Sequence, residues 1–125
     1  MIHYDDENGL LHLTLSGRLT TEDYDRFEPA FERIRARHEG RMPMLVEITP
    51  EFDGWDVGAL WRDMQMGVEY RNAFSRIAMV GAQDWLDWAT RMADGLFPQA
   101  EMRYFEPGDI AAARAWARGA ADMKE

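Results

Sequence analysis

The stretch LLHLTLSGRLTTEDYDRFEPAFERI, residues 10–34, holds two hydrophobic periods in succession. Leu11, Leu13 and Leu15 alternate with His12 and Thr14, the period of two expected of a strand with one face in a core. From Tyr24 through Phe27, Phe31 and Ile34 the apolar residues recur three and four apart, the period of a helix packed on one side. Gly17 is expected to end the strand, and Thr20 with Asp23 three residues on predicts a capping box opening the helix. Pro29 lies inside the helical pattern, where it lacks an N–H and crowds the preceding turn, so a kink or break is expected there, with the helix ending by Gly40.

Working outward, residues 2–4 read as a first strand joined to 10–16 by the hairpin signal Asn8-Gly9. Downstream, 42–49 is a mostly apolar run with Leu45, Val46 and Ile48, closed by Pro50, and 76–81 is a second run of that kind. Helical stretches are predicted over about 56–73 and over 83–97, the latter stopped by Pro98. A short strand over 102–105 follows, then the turn Pro107-Gly108-Asp109 and an alanine-rich helix over 110–121. This order predicts an α/β fold in which an N-terminal hairpin leads through right-handed crossovers into a mixed, mostly parallel five-stranded sheet with flanking helices. At 125 residues, without an internal repeat or linker, residues 1–125 are expected to form one domain around one core.

Composition narrows the function. No cysteine is present, which removes disulfides, thiolate nucleophiles and sulfur-ligated metals. The first residues lack a basic-then-apolar signal pattern and no run approaches a bilayer-spanning length, so a cytoplasmic location is expected. Twenty-three acidic against fourteen basic residues leave a net charge of −9, which opposes nucleic-acid binding. Arg33, Arg35, Arg37 and Arg41 interleave with Glu32 and Glu39 and read as a solvated helix face.

Catalytic signals are few. Ser16 and Ser75 sit in no nucleophile elbow, the one lysine is Lys124, and no phosphate-binding glycine loop occurs. His3, His12 and His38 lack metal-site spacing, although His3 and His12 can face each other across the hairpin. Glu51, Asp53 and Asp56 follow the third strand, at the sheet edge where α/β proteins commonly bind ligands. They can serve as acid and base or hold a divalent cation; alternatively Asp56 caps the next helix. No cofactor and no metal are expected.

The two middle helices carry more apolar surface than one core contact uses. In the first, Val57, Leu60, Trp61, Met64 and Val68 form one apolar stripe, while Ala59, Met66 and Tyr70 add apolar surface away from it. In the second, Trp85, Trp88, Ala89, Met92 and Leu96 form the stripe, with Leu86, Ala93 and Phe97 beside it. Such an excess fits a site for an apolar ligand, a membrane surface or a partner protein, and equally a core plus a dimer contact. The candidate ligand-binding residues are Trp55, Leu60, Trp61, Met64, Val68, Trp85, Trp88, Met92, Leu96 and Phe97. A homodimer is expected, since spare apolar helix surface needs a cover.

The segments GRLTTEDYDRFEPAFE (17–32), FDGWDVGALW (52–61), RIAMVG (76–81), WLDWATRMADGLFP (85–98) and EMRYFEPGDIAAARAW (101–116) resemble, in this order, the SpoIIAA-like proteins of the STAS superfamily. The resemblance implies a curved mixed sheet flanked by helices, a fold akin to that of lipid-carrying CRAL-TRIO domains. It implies a non-catalytic protein, with apolar-ligand binding and peripheral membrane association as the expected activities. The superfamily's anti-sigma-factor antagonists bind a partner kinase and are switched by phosphorylation of a serine at the start of the helix after the third strand. Here that segment reads Asp53-Gly54-Trp55-Asp56-Val57 and has no hydroxyl to carry a phosphate, so a protein-interaction module of that type would lack the switch.

Overall fold

The computed structural model describes residues 1–38, 40–70, 73–81 and 101–119, without the side chains of 60, 63, 64 and 67–69. Strands β1 (Ile2–Glu7) and β2 (Leu10–Leu19) form the expected antiparallel hairpin. Asn8 and Gly9 both take positive φ, 52° and 96°, the left-handed pair that matches a two-residue turn to the twist of its strands. Gly17 does not end β2: at φ 63° it sits at a register shift, and the strand continues to a buried Leu19. Glycine tolerates the irregular backbone there, so a bulge takes the place of a terminus.

Helix α1 (Thr21–Ala36) opens with both halves of the capping box, the Asp23 N–H donating to Thr20 Oγ1 at 3.4 Å and the Thr20 N–H to Asp23 Oδ2 at 2.8 Å. It runs unbroken through Pro29, contrary to the expected break. Pro29 lies on the exposed side, whereas Tyr24 and Phe27 before it and Phe31 and Ile34 after it are buried in one core cluster. Burial of all four outweighs the one missing backbone bond.

Strand β3 (Met42–Trp55) also exceeds its expected length, for Pro50 does not close it. Leu15 pairs with Ile48 and Gly17 with Phe52, so two steps along β2 face four along β3, and Pro50 lies in the surplus where the ladder needs no N–H from it. Helix α2 (Val57–Glu69), β4 (Phe74–Val80), β5 (Glu101–Phe105), a 3-10 turn (Pro107–Asp109) and α3 (Ile110–Ala117) complete the described chain. The helix expected over 83–97 lies outside the described residues.

The strand order is β1-β2-β3-β4-β5, antiparallel in the hairpin and parallel thereafter, the mixed, mostly parallel five-stranded sheet that the element order predicts. One face, with Leu11, Leu13, Leu15, Met44, Val46, Ile48, Ile77 and Met79, packs against α1 and α2. The other, with Leu10, Leu45, Ala78 and Val80, packs against Ala113 and Ala117 of α3. Burial on both faces explains why β3 and β4 read as nearly continuous apolar runs.

Candidate functional site

Helix α2 buries one of its two apolar sides. Ala59, Met66 and Tyr70 form its buried side, whereas Val57 is 87% and Trp61 63% exposed. Of the two apolar sides of α2, the one with Ala59, Met66 and Tyr70 faces the core, and Val57 and Trp61 of the other stripe face outward. The cause is Arg62, which shares the inward stripe with Ala59, Met66 and Tyr70 at spacings of three and four. Its guanidinium bonds Glu28 of α1 and lies 3.4 Å from the Asp25 carboxylate. The Tyr70 hydroxyl donates to Glu28 Oε2 at 3.0 Å and also to Glu32, and its ring meets Phe31 edge-on at 4.8 Å.

This seam perturbs its own ionisable groups. Hydrogen bonding to Glu28 is the largest influence on Arg62 and holds its pKa above the ordinary guanidinium value. Burial first, then the Glu32 and Glu28 carboxylates, push the Tyr70 phenol above its usual range. At neutral pH both are therefore donors to α1, which fixes which side of α2 turns outward.

Trp55, at the end of β3, is half-buried and engaged internally: its Nε1–H donates to the Tyr24 hydroxyl at 2.7 Å, and its ring meets Phe52 edge-on at 4.8 Å. Leu60, Met64 and Val68 belong to α2, but their side chains lie outside the description. Trp85, Trp88, Met92, Leu96 and Phe97 lie outside the described residues altogether. The outward apolar pair that the structure establishes is Val57 and Trp61, one helical turn apart on the first half of α2.

The three candidate carboxylates do not converge as a reactive group. Glu51 and Asp53 lie exposed on the extension of β3, with Asp53 3.6 Å from Arg18. Asp56 is the α2 N-cap and accepts the Ala59 N–H at 2.7 Å, the capping alternative. Among the described residues no cluster of three or more His, Cys, Asp or Glu is arranged to hold a metal ion.

On the opposite face lies a polar group that the sequence reading missed. His12 pairs across the hairpin with Asp5, and His3 with Thr14, so the two histidines are not direct partners. The His12 ring sits between Glu7 (Nδ1 to Oε2, 2.9 Å) and Glu47 (Nε2 to Oε1, 3.2 Å). Arg114 of α3 donates to the other Glu7 oxygen at 2.9 Å. Burial works to raise the Glu7 pKa, but hydrogen bonds from His12 and Arg114 outweigh it and hold the carboxyl below its ordinary value. The available signal was Glu47, a lone acid inside an apolar run.

Among the described residues the fold is that of an α/β domain: a mixed sheet with two helices on one face and one on the other. The profile of the SpoIIAA-like family matches residues 10–118, and the chain belongs to that family. A solved structure of an uncharacterised protein with a SpoIIAA-like fold, from Shewanella loihica PV-4, is 30% identical, with a TM-score of 0.77 over 94% of this chain and 92% of that one. Among curated proteins no match is found. No helix among the described residues is long and apolar enough to cross a membrane.

Proposed function

We propose that the chain is a non-catalytic binding module that takes an apolar, lipid-like ligand on the outward side of α2 and makes peripheral membrane contact through the same side. The observation that carries this reading is the exposure of Trp61 and Val57 while Ala59, Met66 and Tyr70 occupy the core. An indole held in water at a helix surface retains apolar area for a ligand, each buried methylene of which contributes on the order of 0.8 kcal/mol. The net charge of −9 favours an uncharged or zwitterionic partner over an anionic surface.

The test is titration of detergent-free protein with a fluorescent fatty acid, alongside flotation with phosphatidylcholine vesicles, for the native chain and Trp61→Ser. Saturable binding or flotation that the substitution weakens supports the reading; neither signal in the native chain overturns it. The runner-up is a protein-interaction module, since tryptophan is the residue most enriched at interface hot spots. A module of the anti-sigma-antagonist kind would work here without the phosphate switch, for Asp56 at the start of α2 is engaged as a cap. A second copy of the chain is one such partner, and concentration-dependent mass in sedimentation, abolished by Trp61→Ser, would identify it.

A further inference from the structure

Strand β1 stands first in the sheet order and has β2 on one side only. Met1 and Ser16 exchange both backbone hydrogen bonds across the hairpin. In an antiparallel ladder such pairs alternate with unbonded ones, so His3, Asp5 and Glu7 also turn their peptide groups to β2, while the N–H and C=O of Ile2, Tyr4 and Asp6 point away from it. Among the described residues none of these three has a backbone partner on that outer side.

The edge is also unguarded. Its register runs without a shift from Ile2 to Glu7, and it holds no proline, lysine or bulge, the devices that usually blunt such a strand. Asp6 is a charge there, but the Gly9 N–H at 3.0 Å and the Arg37 guanidinium at 3.6 Å already engage it. The Tyr4 ring meets Phe27 at a centroid distance of 5.8 Å, and Tyr4 is still 45% exposed.

A second β1 laid antiparallel along this edge, about a two-fold axis at Tyr4, fits it residue by residue. Tyr4 then faces the partner's Tyr4, and Ile2 the partner's Asp6, so every outward peptide finds a mate, each pair exchanging two N–H···O bonds. On the opposite face His3 lies against the partner's Asp5, a donor against a carboxylate, since an imidazole carries an N–H whether neutral or charged. Moving the axis to residue 3 sets His3 on itself and leaves Asp6 unmatched; moving it to residue 5 sets Asp5 on itself and leaves Ile2 unmatched. At the other edge, β5, the same operation about the central residue sets Arg103 against itself.

We infer that β1 is a self-association edge: two copies of the chain join there about a two-fold axis, and their sheets become one. The net charge of −9 on each copy opposes the approach, so the dimer forms at raised protein concentration and tightens as salt screens that repulsion. This contact lies on β1 and does not use the outward side of α2.

The experiment is sedimentation velocity of the full chain over a concentration series, with amide hydrogen exchange read at single residues. The expected result is a monomer–dimer equilibrium in which the Ile2, Tyr4 and Asp6 amides gain protection as concentration rises. Tyr4→Pro removes an outward N–H and no bond to β2, a change that an edge strand tolerates, and should weaken association by about tenfold or more. Asp5→Arg should weaken it as well, and adding His3→Glu to the same chain should restore it by setting an acid opposite the introduced cation. Trp61→Ser should leave it unchanged, which separates this dimer from one formed through α2. A monomer at every concentration, a dimer whose Tyr4 amide stays unprotected, or one that Trp61→Ser abolishes would overturn the inference; exchange in the native chain decides it even if a variant does not fold.

Discussion

The Trp55 indole Nε1–H donates to the Tyr24 hydroxyl at 2.7 Å, tying the last residue of β3 to the first turns of α1. Tyr24 is buried, so Tyr24→Phe removes the acceptor and leaves an indole N–H without it. A cost of about 1–2 kcal/mol in urea unfolding is expected. Fatty-acid binding should be little changed, because Trp55 is committed to the fold.

The two sides of α2 make an asymmetric forecast. Met66→Ala should cost about 2–4 kcal/mol, since Met66 is 8% exposed and belongs to the main core. Trp61→Ser should change stability by no more than about 0.5 kcal/mol, as a surface substitution does. Chemical denaturation of the two variants checks this; the reverse ranking would mean that the outward and inward sides have been exchanged.

Glu28 accepts from both Arg62 and Tyr70, so their removals should couple. Arg62→Ala is expected to cost about 1–2 kcal/mol and Tyr70→Phe about 1 kcal/mol, with the double variant departing from their sum. A double-mutant cycle measures this, and strict additivity would show that the shared carboxylate does not link them.

Tyr70 supplies an alkaline signature. Its phenol is held above the ordinary value, so the unfolded chain ionises it first and stability should decline above about pH 10. Ultraviolet titration should show Tyr70 ionising above the ordinary phenol range.

Glu7 supplies the acid counterpart. Its folded carboxyl is held below the ordinary glutamate range by His12 and Arg114, so its stabilisation is present above that range and is lost as pH falls through the lower folded pKa. Acid unfolding of Glu7→Gln should therefore be less steep than that of the native chain; identical acid limbs would contradict the pairing with His12 and Arg114.

Gly81 closes β4 against β3, where a Cβ would meet Ile48 Cβ at 3.0 Å and its carbonyl oxygen at 3.2 Å. Gly81→Ala should destabilise by about 1–3 kcal/mol as an overpacked site, read from the thermal midpoint. An unchanged midpoint would mean that β3 yields at Ile48.

Elements were legible wherever the pattern was local. The alternation of Leu11, Leu13 and Leu15, the Asn8-Gly9 turn and the Thr20 capping box lie within a few residues of their cause and appear as expected. Punctuation by Gly17, Pro29 and Pro50 was overread, because a breaker is tolerated when residues on both sides are buried together or when it falls in a bulge. The orientation of α2 was hidden for another reason. Counting apolar residues could not reveal that Arg62 points inward, since the carboxylate that makes this tolerable lies 34 residues away.

The sequence by itself determined the class of fold and the order of elements along the chain, since periodicity and turn chemistry are properties of neighbouring residues. Tertiary structure alone decided that Trp61 and Val57 face outward and that His12 lies between two carboxylates. Those facts depend on pairing between β1, β2 and β3 and on charges of α1 meeting α2, and each such contact joins residues far apart in the chain, whose register no local pattern encodes.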